Sequence, residues 1–245
     1  MRRIHYETID STNTEARRLA TGEVHEPLLI TAAEQSAGRG RHGRQWQSPL
    51  GGAWLSLVWP ARRPPPVYAA VSLSAAVAVL RALREVAARE PNRFRVKWPN
   101  DILLDDFKVA GVLCEQRLGG GLHPDVIIVG VGVNVNFDPA TLPADLRHPA
   151  TTLTAALNKP IRVDEVTDAV AEHLAAALEA FEADGLSQQL LTELRDGLAY
   201  VGAMRTWSAP GGPVEGRVAG IDDRGRLLLD TAAGRVAYET GEFAS

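Results

Sequence analysis

The 245-residue sequence has one cysteine, Cys114. No intrachain disulfide can form from it, and no thiolate metal cluster can assemble. Such sparing use of thiols fits a reducing compartment, so a cytoplasmic location is expected. Lysine is nearly as scarce, since Lys97, Lys108 and Lys159 are the only three among 26 basic residues. No apolar run reaches the roughly 18 residues that a membrane span needs. The longest helical one, Val67 to Leu83, is interrupted by Ser72, Ser74 and Arg81. The start, Met1-Arg2-Arg3-Ile4-His5-Tyr6-Glu7, lacks the apolar stretch of a signal peptide. A strong charge bias is missing too. The formal net charge is −4, with 45% hydrophobic and 23% charged residues. That balance excludes a wholly disordered chain and a general polyanion binder. Contacts with phosphate must therefore come from local clusters of arginine or lysine.

Periodicity gives a mixed α/β order. Asp10 or Ser11 can N-cap a helix over Thr14 to Ala20, with Gly22 ending it. Leu28 to Ala33 and Ala53 to Trp59 read as strands. A helix is expected from Val67 to Ala88, started by Pro64-Pro65-Pro66. Four more strands follow at Phe94 to Trp98, Ile102 to Leu104, Lys108 to Gln116 and Val126 to Asn134. Helices are expected over Val163 to Ala183 and Leu186 to Leu198. From Tyr200 onward, glycine recurs between short β-prone runs: Val214 to Ile221, Arg226 to Leu229 and Val236 to Glu239. This reads as a small barrel of about 45 residues, too small to be a catalytic domain alone. The boundary is placed near residue 198, giving units 1–198 and 199–245.

Gln35 to Gly52 is a loop rich in glycine and arginine. Within it, Gly38-Arg39-Gly40-Arg41-His42-Gly43 matches G-x-G-x-x-G. A dinucleotide fold would need a helix next and an acidic residue about 20 positions on. Gln45-Trp46-Gln47-Ser48-Pro49 cannot start a helix, and no Asp or Glu occurs between Gln35 and Arg84. The Rossmann reading fails, and no P-loop motif exists. Glycines remain that bring backbone N–H groups close to a ligand. Arg39, Arg41 and Arg44 add planar donors for phosphate or carboxylate. The alternatives are a loop that touches nucleic acid nonspecifically and a merely solvated loop. His42 reads as a solvent residue in preference to a partner contact.

Lys97-Trp98-Pro99-Asn100-Asp101 is the densest motif. Pro99 biases Trp98 toward extended geometry. Asn100 and Asp101 can hold a turn between two strands, or Asp101 can hold Mg²⁺ bound to a nucleotide. Lys108 can form a surface ion pair with Asp105 or Asp106, a weak interaction. Val129-Gly130-Val131-Gly132-Val133-Asn134 ends a strand with two glycines, over which a flat ligand can lie. Asn134 suits either a turn or a polar ring. Cys114, beside Val112 and Leu113, reads as a buried small hydrophobe.

Asp10-Ser11-Thr12-Asn13, Gln35 to Trp46, Lys97 to Gly111 and Gly130 to Asn136 occur in one order. This ordered set resembles biotin protein ligase, which attaches biotin to a carrier domain of biotin-dependent carboxylases. The resemblance covers nearly the whole chain, including Val218-Ala219-Gly220-Ile221-Asp222 in the small barrel. It implies a catalytic domain with a central mixed β-sheet, followed by an SH3-like barrel. The implied substrates are ATP and biotin, with Mg²⁺. The implied partner is a biotin carboxyl carrier protein.

The same resemblance implies residue roles. Ser11, Thr12, Asn13 and Gln35 match the biotin-ring contacts. Arg39, Gly40 and Arg41 match the loop over biotin and the adenylate, with Gly111 beside the biotin site. Trp46 matches the tryptophan that closes this loop. Lys108 matches the lysine between the biotin carboxylate and the α-phosphate. Asn134 matches the residue facing adenine. Asn100 and Asp101 match the segment near nucleotide and metal, and Arg44 is either a nucleotide contact or a loop anchor. Lys108, Arg39 and Arg41 are the expected catalytic cations. The motif at Asp10 leaves no room for a preceding winged helix, so a form without DNA binding is expected, and the short C-terminus suggests a missing tail contribution. A homodimer is conceivable through an exposed strand edge at Val109 to Gln116 or Val126 to Asn134. Two other readings stand beside this one: a lipoate or octanoate ligase, and a nucleic-acid-binding module. The neutral Ser-Thr-Asn and Gln set speaks against lipoate, because a ureido ring offers hydrogen bonds and a dithiolane does not.

Overall fold

A computed structural model describes residues 1–20, 24–63, 70–88, 90–118, 124–209 and 211–244. Strands β1 (Arg2–Ile9), β2 (Leu28–Gln35), β3 (Gly52–Pro60), β4 (Phe94–Lys97), β5 (Asp101–Leu104), β6 (Phe107–Leu118) and β7 (Pro124–Asn134) form one sheet. Its order is β1-β2-β3-β7-β6-β5-β4. β1 and β2 run parallel and the other neighbours are antiparallel, so the sheet is mixed as expected. Helices α1 (Thr12–Leu19), α2 (Val71–Ala87), α3 (Leu153–Leu157), α4 (Val163–Asp184) and α5 (Gln188–Asp196) complete this unit.

The two faces of the sheet differ because strand side chains alternate. Leu29 of β2, Leu55 and Leu57 of β3, and Ile127, Val129, Val131 and Val133 of β7 enter the large core with α2 and α4. Ile30, Val58, Val126 and Ile128 turn the other way and pack under Ala16 and Ala20 of the α1 segment. Continuing along β7, that second face carries Gly130, Gly132 and Asn134 in place of large apolar residues. One end of the α1 face is therefore roofed by a helix, and the other end is bare backbone.

The C-terminal unit holds β8 (Met204–Ala209), β9 (Gly212–Ile221), β10 (Leu227–Thr231), β11 (Gly234–Tyr238) and β12 (Glu242–Phe243). They form a five-stranded antiparallel sheet in the order β11-β10-β9-β8-β12. No β11–β12 pairing closes it among the described residues. Trp207, Val218, Leu227, Leu229 and Phe243 join the same contiguous core as Trp98. Trp98 and Trp207 meet with ring centroids 5.5 Å apart. Trp98 Nε1 donates to the Gly225 carbonyl at 2.9 Å.

Several expectations are adjusted. β1 was not anticipated, because its exposed, charge-rich alternation lacks an apolar run. α3, β8 and β12 were also missed. Ser11, not Asp10, caps α1, while Asp10 binds the Ser11 amide and Arg18. The expected ends at Gly22 and at Pro64 to Val67 fall outside the described residues. Of the two strand edges weighed for a dimer, β7 is paired on both sides by β3 and β6, whereas the pairing of β6 with β5 ends at Gly111. β1 ends the sheet on one side, and on the other β4 is met by Gly197 to Ala199 through the Val96 backbone.

Replacing Trp98 with Phe removes the donor to Gly225 and leaves a buried carbonyl unpaired. The expected loss of unfolding free energy in urea is about 1–3 kcal/mol. A change below about 0.5 kcal/mol, the scatter of surface substitutions, would show that this contact does not join the two sheets.

Candidate functional site

A cleft of about 310 Å³ opens over the bare end of the α1 face. Ser11, Thr12, Asn13, Gln35, Arg39, Gly40, Arg41, Arg44 and Trp46 line it, with Asn100, Asp101, Lys108, Gly111 and Asn134. The residues to which the resemblance gives site roles are thus brought to one cavity, from segments more than 100 positions apart.

The floor at one end is neutral and polar. The α1 N-terminus delivers Ser11, Thr12 and Asn13, all buried. Gln35 Oε1 accepts from the Thr12 backbone amide at 2.7 Å and from its hydroxyl at 3.1 Å. Gln35 Nε2 donates to Ser48 Oγ at 2.8 Å. Ser56 of β3, fully buried, lies 2.8 Å from Thr12 Oγ1 and 2.5 Å from Asn13 Oδ1. A Cβ at Gly130 would fall 1.9 Å from Asn13 Oδ1, so only glycine admits this asparagine.

The middle holds Trp46. Its ring rests on Gly111 and Gly132, where added Cβ atoms would approach it to 3.1 and 2.5 Å. Lys108 Nζ lies 4.9 Å from the ring centroid, within cation–π range. The buried Nε1 has no partner. The glycines thus seat a flat ring, and in this structure that ring is the protein's own indole.

Charge gathers at the other end. Asp101 is 9% exposed and sits between two ammonium groups. Lys108 Nζ is 2.7 Å from Oδ1, and Lys97 Nζ is 3.7 Å from Oδ2. Burial alone would raise the Asp101 pKa, but Lys108 and Lys97 outweigh it and hold the carboxyl below its ordinary value. Lys97 is pushed down to about 8 by burial, which the attraction of Asp101 only partly offsets. Lys108 was expected to pair with Asp105 or Asp106 but pairs with Asp101, and Asp105 pairs with Arg93.

Arg41 donates to Asn100 Oδ1 at 2.7 Å, and burial lowers its pKa. Asn100 Nδ2 is anchored on the Val112 carbonyl at 2.7 Å. Asn134 Nδ2 donates to the Thr151 carbonyl at 3.1 Å. Arg44 reaches Glu242 of β12 at 2.6 Å, so it anchors the loop to the C-terminal sheet. Arg147 pairs with the same carboxylate. The guanidinium of Arg39, expected to face a substrate anion, lies instead 3.3 Å from Glu115. His42 is exposed, in a left-handed conformation. Cys114 is partly buried against the core, not fully enclosed as expected, and desolvation pushes its thiol up to about 12.

A divalent cation does not fit Asp101 as the residues stand. Both of its oxygens face lysine ammonium groups, and no group of three His, Cys, Asp or Glu gathers anywhere among the described residues. In this structure Asp101 serves as the counterion of Lys108 and Lys97. Lys97, Ser56, Glu115, Arg147, His148 and Glu242 belong to the cleft or its supports without having been assigned. Ser56 and Glu115 were legible as polar interruptions of apolar strands. Glu242 carried no signal, since its place depends on how the second sheet docks. His148 is half-buried, and burial together with Lys97 pushes it down to about 4, so it is neutral at ordinary pH.

A neutral hydrogen-bonding floor beside clustered cations defines a cleft for a polar ring with an anionic tail, next to a phosphate-bearing group. Known proteins agree. The Biotin/lipoate A/B protein ligase family matches residues 6–134, and the Biotin protein ligase C terminal domain matches residues 204–244. The chain is 33% identical over 240 residues to the biotin–[acetyl-CoA-carboxylase] ligase of Paracoccus denitrificans, covering 95% of this chain and 96% of that one. It is 33% identical over 235 residues to the bifunctional ligase/repressor BirA of Bacillus subtilis, covering 94% of this chain and 70% of that protein. The biotin protein ligase of Aquifex aeolicus in complex with biotin and ATP superimposes with a TM-score of 0.82 at 29% identity, covering 99% and 97% of the two chains. The chain belongs to the Biotin/lipoate A/B protein ligase family.

Because Lys97 loses charge near pH 8, the cationic end weakens as pH rises through that value in the free protein. The expected kcat/KM for nucleotide falls above pH 8, and Lys97→Gln removes that limb of the profile. An unchanged profile in the variant would assign the limb elsewhere.

Proposed function

We infer that the chain catalyses ATP-dependent attachment of biotin to a lysine of a biotin carboxyl carrier domain. The observation that carries this reading is the shared cleft, which joins a neutral hydrogen-bonding floor of Ser11, Thr12 and Gln35 to the cations Lys108 and Arg41. In the first step a biotin carboxylate oxygen attacks the α-phosphorus of ATP, and the bond to pyrophosphate breaks. In the second, the carrier amine attacks the acyl carbon of biotinyl-5′-AMP, loses a proton, and AMP leaves.

The first step brings two anions together. At 4 Å and an effective dielectric of about 20, one such pair costs about 4 kcal/mol. Lys108 and Arg41 face the space where that charge develops, so electrostatic stabilisation is the main contribution. Asp101 holds the Lys108 ammonium in place at 2.7 Å. Ser11 and Gln35 keep hydrogen-bonding capacity for the ring, and Asn134 keeps its carbonyl oxygen for adenine. Trp46 and the glycine-rich loop shelter the mixed anhydride from water. The division near residue 198 then separates a catalytic unit from a C-terminal sheet that supports the loop through Glu242.

The partner is a carrier domain, and action without DNA contact and in the cytoplasm are parts of this reading. No helix among the described residues is long and apolar enough to cross a membrane. A homodimer through β6 beyond its pairing with β5 belongs to the same reading. A lipoate ligase remains the competing reading within the same family, and the hydrogen-bonding floor favours biotin.

ATP–pyrophosphate exchange, run separately with biotin and with lipoate, tests the assignment. Exchange is expected with biotin alone. Lys108→Ala is expected to slow it by about three orders of magnitude, the scale of losing one preorganised charge-stabilising donor. Exchange with lipoate only, or near-normal exchange in the variant, would overturn the respective assignment.

A further inference from the structure

Glu115 has no part in the reaction as described, yet two separate parts of the site meet on it. It lies on β6 and faces the same side of the sheet as Gly111 and Leu113 of the cleft. Its side chain is 12% exposed. Asn13 Nδ2 donates to its Oε2 at 3.0 Å. Arg39 straddles both oxygens, at 3.3 Å from Oε1 and 3.4 Å from Oε2. Arg17, on the outer side of α1, also pairs with Oε1.

Asn13 is fully committed by its surroundings. Its Oδ1 accepts from Ser56, its Nδ2 faces Glu115 and the Leu113 carbonyl, and Gly130 closes the space behind it. The amide therefore cannot turn without breaking a buried bond. Arg39, in contrast, comes from the Gly38–Trp46 loop, where its backbone bridges to Gln45. Arg39 adds a second guanidinium to a largely buried carboxylate, so the loop position that keeps it on Glu115 is favoured.

We propose that Glu115 is a positioning residue that couples occupancy of the ring pocket to closure of the glycine-arginine loop, by holding Asn13 and Arg39 on one carboxylate. The proposal rests on the biotin reading and deepens it. A ring that settles against Ser11, Thr12 and Gln35 stiffens α1's first turn. Asn13 then fixes Glu115, and Glu115 presents a ready anion to Arg39. Linkage makes the effect reciprocal: a loop held shut by Arg39 strengthens ring binding by the same factor.

The test compares the full-length protein with Glu115→Gln, Arg39→Gln, the double variant and Arg17→Gln. Two quantities are read: KM for biotin in the exchange reaction, and the protection that biotin gives the loop against trypsin at Arg39, Arg41 and Arg44. Glu115→Gln keeps an acceptor for Asn13 but loses the charge that holds Arg39. Each of the first two variants is expected to raise KM for biotin about tenfold, the size of one charge-assisted hydrogen bond, with KM for ATP unchanged. Each should abolish biotin-dependent protection, and the double variant should be no worse than either single one. Arg17→Gln, which removes a partner of the same carboxylate outside the loop, should behave as the wild type.

Additive losses, full protection in Glu115→Gln, or equal damage from Arg17→Gln would overturn the proposal and leave Glu115 a structural anion. If Glu115→Gln does not fold, Arg39→Gln against Arg17→Gln decides the question. Absence of exchange with biotin in the wild type would overturn the functional reading and this proposal together. Normal wild-type exchange with uncoupled variants would overturn this proposal alone.

Discussion

The chemistry of the cleft depends on one buried carboxylate shared by two ammonium groups. Asp101 is almost inaccessible, and burying it would be prohibitive without Lys108 and Lys97 on its oxygens. The three groups carry a net positive charge inside a low-dielectric wall, where its field is least screened. The turn that sets them together is built from Lys97 to Asp101, and β5 pairs Asp101 with Gly111 across from the cleft glycines. The same turn carries Trp98 into the opposite core, against Trp207. The charge cluster and the docking of the C-terminal sheet are thus two sides of one short segment.

That arrangement explains why a small sheet belongs to the molecule at all. It supplies no group to the ring pocket. It provides the aromatic wall behind Trp98 and brings Glu242 to Arg44 and Arg147. Arginines at the mouth of a phosphate-binding cleft repel one another, and a carboxylate between them offsets this. Burial would raise the Glu242 pKa, but the bond from Arg44 and the charge of both arginines hold it below its ordinary value. An incoming polyphosphate meets arginines already gathered, with an internal anion to displace.

Much of this was legible in the residues. The alternation along Val129 to Asn134 places valines in the helix-covered core and glycines on the other face, so the bare backbone follows from strand geometry. The absence of acidic residues between Gln35 and Arg84 marked the loop as cationic. Less visible was which arginine is free. Arg39, Arg41 and Arg44 are equivalent in sequence, yet they end on Glu115, Asn100 and Glu242. Nor did local pattern expose β1, whose pairing with β2 relies on backbone bonds more than on apolar content. Lys108 likewise sat beside two acidic residues in sequence and chose a third.

The sequence by itself determined the order of elements, the family, and the set of side chains that reach the cleft. Those depend on periodicities of two and 3.6 residues and on short motifs, which are local properties. Only the tertiary structure decided the partners. Asp101 serves as a counterion, Asn13 spends its amide on Ser56 and Glu115, and Trp46 occupies the glycine seat. Each outcome is a competition among charged or hydrogen-bonding groups from distant segments. Such competitions are settled by burial and distance in three dimensions, which no local pattern records.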